Sequence, residues 1–262
     1  MNSLKIIKMF FKNLVNFRWD SGHTHLETTP GFDSELEFWD LELSLKGFFP
    51  ENIRNRIYPE KITNEFPEYT LPVIQELTRL TNYPPKVLDV GSGPLSMFGY
   101  AAFHNLIKLT AVDPLADQYQ KLIDKYGYRL INYELRQCFG ENLSKIFAKN
   151  SFDIVWIHNA LDHCQDPRKV FCEMVRVLKP RGYFYYQGWS REGTAERWFG
   201  LHQHDIFLAP GCQLMCTSRP RRNSLSGKTR CLNVDLPLEV IEHSEPMIEN
   251  KQWVKIVWRK IR

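Results

Sequence analysis

Residues 87–98 read VLDVGSGPLSMF. A short apolar run with one aspartate gives way to two glycines two apart, then to a second apolar run. This is the pattern of a buried strand that turns sharply into a helix. Glycine tolerates a left-handed turn and lets a ligand come close to the backbone. In an open α/β sheet, ligands lie beyond the carboxyl ends of the strands, so the turn at Gly91 and Gly93 is the expected binding site. The stretch nearly spells the dinucleotide fingerprint, but Ser96 stands where the third glycine belongs. Pro94 is expected at the first helical position, where its missing N–H costs nothing.

The surrounding chain fits that reading. KVLDV (86–90) is a strand, LSMFGYAAFHN (95–105) a helix and IKLTAVD (107–113) a strand. LADQYQKLIDKYG (115–127) is a helix closed by Gly127. A strand near 132–137 and a short helix from Glu141 follow. FDIVWIHNA (152–160) is a buried strand, DPRKVFCEMVRVLKPRG (166–182) a helix and YFYYQGW (183–189) a strand. Alternating strands and helices predict an α/β fold with a doubly wound, mostly parallel sheet.

Before this region, residues 1–83 read as a helical leader, and 84–262 as the main domain. The leader has helices over 1–19, over DSELEFWDLELSLKG (33–47) and from about 68 to 80. Asp33 or Ser34 is the expected N-cap of the second, and Gly47 its stop. A linker with His23 and His25 precedes it, and Tyr83-Pro84-Pro85 breaks the chain. After Trp189, QLMCTS (213–218) and WVKIVWRKI (253–261) read as strands. Arg219, Arg221, Arg222, Lys228 and Arg230 make a basic loop, read either as a phosphate contact or as a solvated turn.

Composition sets limits. The chain has 262 residues, 43% hydrophobic and 24% charged, with a net charge of +4. That is an ordinary globular balance, and the charge is too small to imply nucleic acid as a partner. No run approaches the length of a transmembrane helix. Six scattered cysteines without a CxxC pair read as reduced thiols in a cytoplasmic protein. A zinc set of His202, His204, Cys212 and Cys216 matches no common module, so no metal is expected. Residues 1–19 mix Lys5, Lys8, Lys12 and Arg18 with bulky apolar residues. Such a helix lies peripherally on an anionic membrane, packs on its own domain, or forms a homodimer contact.

Two ligands compete for the glycine turn. A dinucleotide would rest its pyrophosphate on the helix N-terminus. S-adenosylmethionine (SAM) brings an ammonium group instead. Asp89, directly before the glycines, repels a phosphate and suits an ammonium. Pro94 removes one amide from any phosphate cradle. Asp113 ends the next strand, where an acidic residue binds ribose hydroxyls in either ligand; it reads alternatively as a helix cap.

Residues 86–189 resemble the class I SAM-dependent methyltransferases, in particular the type 11 group. The matching segments are VLDVGSGP, AVDP, GENL and SFDIVWIHNALDHCQDPRKVFCEMVRVLKPRGYFYY. The resemblance implies a Rossmann-like methyltransferase fold, with seven strands and an antiparallel last strand supplied by WVKIVWRKI. It implies SAM as cofactor, with Asp89, Gly91 and Gly93 at its methionine end and Asp113 on its ribose. Glu141, in place of the family's usual aspartate, is a candidate near the adenine with Cys138, Phe139 and Gly140. Asn159 ends the fourth strand, where the family lines its cleft. Leu95, at the third position of the usual G-x-G-x-G, is expected to narrow the cofactor mouth.

A hydroxyl acceptor must lose a proton, usually to histidine or a carboxylate. Asp162 and His163 follow the fourth strand, and His163 is the first candidate base; helix capping by Asp162 or Asp166 is the alternative. His202 and His204, in GLHQHDIF (200–207), have the alternation that faces one way on a strand. Trp189 and Trp198 fall where they would stack on a sugar ring or base. The expected function is O-methylation of a carbohydrate or another small hydroxylated acceptor. The alternatives are an RNA or protein methyltransferase and a non-catalytic SAM-binding module.

Overall fold

The structure is a computed structural model, and it describes residues 31–58, 71–220, 227–248 and 250–261. The expected helix at 1–19, the linker histidines, and Arg221 and Arg222 lie outside these residues. Among the described residues, no helix is long and apolar enough to cross a membrane.

Three helices come first: α1 (Phe32–Leu43), α2 (Pro50–Ile57) and α3 (Leu71–Thr81). Then β1 (Lys86–Val90), α4 (Gly99–Phe103), β2 (Lys108–Asp113), α5 (Ala116–Lys125) and β3 (Tyr133–Gln137) alternate. A short helix, α6 (Leu143–Ile146), precedes β4 (Phe152–His158), α7 (Pro167–Val177), β5 (Leu178–Trp189) and α8 (Glu192–Ala195). The tail is β-rich: β6 (His204–Ala209), β7 (Gln213–Ser218), β8 (Thr229–Cys231), β9 (Leu238–Ser244), β10 (Met247–Ile248) and β11 (Lys251–Lys260).

The main sheet runs β3-β2-β1-β4-β5-β11, with β9 and β10 both paired to β11. Strands β1 to β5 are mutually parallel, and β11 is antiparallel to β5. The two-residue β10 makes eight strands where seven were expected. A separate antiparallel sheet, β6-β7-β8, contains the expected strand QLMCTS as β7.

The central strands are buried on both faces, which explains their nearly unbroken apolar runs. Val155, Ile157, Phe184 and Tyr186 pack with α7 on one side. Ile154, Trp156, Tyr183 and Tyr185 pack with Phe98, Ala101 and Ile74 on the other. Asp166 caps α7 by accepting the N–H groups of Arg168 and Lys169. Pro167 takes the first helical turn, as its fixed φ allows. On the buried face, Val170, Phe171 and Met174 are inaccessible, and each stabilises the fold by roughly 1.5–3 kcal/mol.

Two local expectations are corrected. Gly31, not Asp33 or Ser34, stands before α1. The helix expected from Leu95 with Pro94 at its start does not form there, and α4 begins only at Gly99. The Ser96 hydroxyl donates to Asp89 Oδ2 at 2.6 Å and accepts the Phe98 N–H at 3.1 Å. Such local side-chain bonds compete with helix formation.

Candidate active site

Gly91 and Gly93 take left-handed conformations, with φ of 67° and 63°. A Cβ on Gly91 would stand 2.5 Å from Ala160 Cβ, and one on Gly93 would stand 2.8 Å from the Trp39 ring. Both glycines are thus required by conformation and by space. The turn is fixed from the neighbouring strand: Gly91 N–H donates to Val112 O, and Gly93 N–H to Asp113 Oδ2.

Beyond these strand ends lies a cavity of about 620 Å3, its open mouth included. Val90, Gly91 and Ile157 form its floor. Asp113, Pro114, Leu115 and Tyr119 form one wall, and Phe139, Gly140 and Glu141 the next. Ala160, His163, Cys164 and Gln165 close the far side, while Phe32, Glu35 and Leu201 complete the enclosure. Among the described residues, Glu35, Asp113 and Glu141 give the lining three carboxyls and no lysine or arginine. That charge pattern opposes a pyrophosphate and suits a cationic ligand. The nearest helix start after the glycine turn is Gly99, so the usual helix-end cradle for phosphate is missing as well. An adenosyl group fits the apolar Leu115, Tyr119 and Phe139, and SAM supplies the positive charge that the carboxyls favour.

Asp113 is 7% exposed. Its two oxygens accept the Leu115 and Gly93 N–H groups, at 2.9 and 3.1 Å. Burial pushes its carboxyl up to about 7 despite those bonds. Burial also raises Glu141, whose Oε1 accepts the Asp166 N–H.

Several expected residues lie elsewhere. Asp89 is absent from the cavity lining. Its carboxylate holds Ser96, and the charged Arg56 stands nearby; burial nonetheless pushes it up to about 6. Gly93 turns its α-carbon toward Trp39 instead. Asn159 accepts the Trp189 N–H at 3.2 Å and so ties β4 to β5 outside the lining. Leu95 is 1% exposed and packs with Leu43, Ile53 and Ile57, so it does not narrow the mouth.

The two tail histidines part company. His202 precedes β6, so strand alternation does not apply to it. His204 opens β6, where Nδ1 meets Ser218 Oγ at 3.1 Å and Cys216 Sγ at 3.6 Å. Burial drives His204 down to about 4, and it remains outside the cavity. Cys212 pairs with His243, so the four-residue zinc set does not converge. All six cysteines are free thiols.

His202 instead joins Asp162 and His163. Its Nδ1 lies 2.8 Å from Asp162 Oδ2 and 3.1 Å from His163 Nε2. His163 Nε2 is 3.5 Å from the same Asp162 oxygen. Burial works to raise Asp162, but the two imidazoles outweigh it and hold the carboxyl low. Burial works to lower His202, but the Asp162 bond lifts it to about 9. The turn that carries His202 is pinned by Gln203, whose backbone N–H donates to Asp162 O and whose side chain donates to Trp198 O and Gly200 O. His163 alone of the three lines the cavity. The sequence reading missed Glu35 and Arg56. Glu35 lies one helical turn beyond Phe32, so i,i+3 spacing puts the two on one face of α1.

Residues 88–186 match a family model described as a methyltransferase domain. An uncharacterized methyltransferase of Schizosaccharomyces pombe is 33% identical over 108 residues, 37% of either chain. A ubiquinone biosynthesis O-methyltransferase of Idiomarina loihiensis is 28% identical over 150 residues, covering 50% of this chain and 59% of its own. The alignments therefore span less than two thirds of these relatives. Among solved structures, the putative methyltransferase in complex with the Trm112 methyltransferase activator of Haloferax volcanii superposes with a TM-score of 0.50. It is 14% identical, with 87% of this chain and 97% of that one covered; this likeness concerns the fold.

Proposed function

With a class I SAM-dependent methyltransferase domain over residues 88–186 as the premise, we propose that the protein methylates a hydroxyl oxygen of a small acceptor. Bound SAM supplies a methyl group on a sulfonium, ready for in-line displacement. Gly91 and Ala160 pack against each other at the strand ends and line the cavity that would take the cofactor. Asp113 receives the ribose, and Leu115 with Phe139 flanks the adenine beside Glu141. Glu35 and Asp113 give the lining the negative charge that balances the cationic ligand.

The carrying observation is that His163 belongs both to the cavity wall and to the Asp162–His163–His202 cluster. The acceptor hydroxyl loses its proton there as the O–C bond forms and the C–S bond breaks. Positioning by the cavity and proton removal together account for the residues present. A small acceptor is in keeping with a cavity that Phe32 and Leu201 line together with the strand ends. Neither Trp189 nor Trp198, the rings expected to stack on a sugar, lines the cavity, so nothing there favours a carbohydrate over another small hydroxylated acceptor.

The test is tritiated-methyl transfer from SAM to fractionated small-molecule extracts, beside calorimetry with SAM and NADH. Label in a hydroxylated compound and SAM binding are expected. NADH binding without SAM binding defeats the reading.

A further inference from the structure

Three side-chain atoms converge at the His163 end of the cavity: Asp162 Oδ2, His163 Nε2 and His202 Nδ1. Their separations are 2.8, 3.1 and 3.5 Å. Hydrogen bonding satisfies this group poorly. His202 Nδ1 carries at most one proton, yet it is the near neighbour of both other atoms. If that proton goes to Asp162, His163 Nε2 offers either a lone pair to the same hydrogen or an N–H that crowds it. A single cation at the centre satisfies all three. Ligands at 2.0–2.2 Å from one divalent metal lie about 2.8–3.6 Å apart in octahedral or tetrahedral arrangements, the spacing found here.

We propose that Asp162, His163 and His202 bind a divalent transition metal, with its open positions facing the cavity. Two imidazoles and one carboxylate suit zinc, iron(II), manganese or cobalt, and disfavour magnesium and calcium, which prefer oxygen. The side chains of His163 and His202 are 19% and 24% exposed, so the site is open to entry, while Asp162 anchors it from below at 7%. A second observation points the same way. Glu192 is buried at 7% exposure, one of its carboxylate oxygens has no hydrogen-bond partner among the described residues, and it interacts electrostatically with Asp162 and His202. A cation in the cluster would compensate that carboxylate. The backbone supports the geometry as well: the Gln203 N–H on Asp162 O locks the His202 turn to the Asp162–His163 segment.

The inference rests on the reading of this cluster as the acceptor end of the cavity, and refines it. A metal leaves no lone pair on His163 Nε2. The metal would instead acidify an acceptor hydroxyl bound to it, and the proton would leave to solvent rather than to the imidazole.

The test uses the full chain, stripped with EDTA, returned to chelator-free buffer and titrated with cobalt(II) alone. Visible d–d absorption reads the site, and zinc competes for it. One equivalent per chain is expected, with affinity reduced about tenfold or more in His202→Ala and Asp162→Asn. Should either variant lose its fold by circular dichroism, His163→Ala serves in its place. A folded wild type that binds no cobalt(II) overturns the proposal, and so does equal affinity in the folded variants. SAM calorimetry on the stripped protein separates the two readings. SAM binding without metal binding leaves the methyltransferase reading intact and removes the metal; metal binding without SAM binding does the reverse.

Discussion

Trp39 lies against Gly93, so that a single added carbon on the glycine would stand 2.8 Å from the indole. Helix α1 (Phe32–Leu43) thereby sets how the glycine turn is shaped. Gly93→Ala brings this clash together with a left-handed φ of 63°, which costs about 1–2 kcal/mol for a non-glycine residue. The expected result is a lower melting temperature and SAM binding weaker by about tenfold, the equivalent of 1.4 kcal/mol. Adding Trp39→Ala should restore part of the affinity, since it removes the clash but not the backbone strain. Calorimetry on both variants checks it.

Asp113 gives a pH dependence. Its carboxyl sits at about 7 in the fold against an ordinary 3.8. The folded state thus holds the proton more tightly than the unfolded chain. Stability of the ligand-free protein falls as pH rises from about 4 to about 7, and the loss is complete above that. Asp113→Asn should flatten this slope, while its single acceptor oxygen leaves one of the Gly93 and Leu115 N–H groups unpaired, at about 1–3 kcal/mol. It should also weaken SAM binding. Urea denaturation at pH 5 and pH 8 measures the first effect; an unchanged slope excludes Asp113 as its source.

Glu42 is 1% exposed and accepts the N–H groups of Phe48 and Phe49. These bonds set the corner between α1 and α2, and α2 in turn carries Arg56 to Leu95 O. Glu42→Ala leaves two amides unsatisfied, at about 1–3 kcal/mol each if they stay buried. Thermal unfolding should show a clear loss, with a further loss of SAM affinity as Arg56 shifts beside Asp89. Glu42→Gln should recover only part of it, because its amide offers one acceptor oxygen for two N–H groups.

His163 separates cofactor binding from turnover. His163→Ala should lower kcat by about a hundredfold or more. Affinity for SAM should stay within about threefold, because positioning of the cofactor belongs to other walls. Phe139→Ala should show the opposite split, with weaker SAM binding at little cost to the chemical step. Single-turnover kinetics with the acceptor found by tritium transfer distinguishes the two. Equal loss of affinity in both variants would remove the division of labour.

The alternating strands and helices from Lys86 to Trp189 were legible because every central strand is buried on both faces and each helix carries one apolar stripe. The glycine turn and Asp113 were legible because backbone conformation and strand ends leave few choices of residue. The destinations of polar side chains were not. Asp89 turns to Ser96 because a hydroxyl seven residues on happens to fold back upon it, and Arg56 approaches from a helix, PENIRNRI, with no apolar run to announce it. His202 and His204 share a spacing that implies one face, yet the strand begins only at His204. Spacing carries meaning only inside a regular element, and His202 lies just outside one. Its meeting with Asp162 depends on Gln203, a tertiary contact that no local pattern encodes.

Gly31 meets Gly200 backbone to backbone: a Cβ on Gly31 would stand 2.8 Å from the Gly200 carbonyl carbon. The start of α1, with Phe32 and Glu35, and the turn that bears Leu201 and His202 are therefore clasped together. A ligand that lifts one must drag the other. Occupancy at the adenosyl end and affinity at the histidine end are then thermodynamically linked, and the linkage is reciprocal. Whatever factor SAM imposes on acceptor binding, the acceptor must impose on SAM, and a bulkier residue at Gly31 should loosen that coupling before it abolishes either binding event.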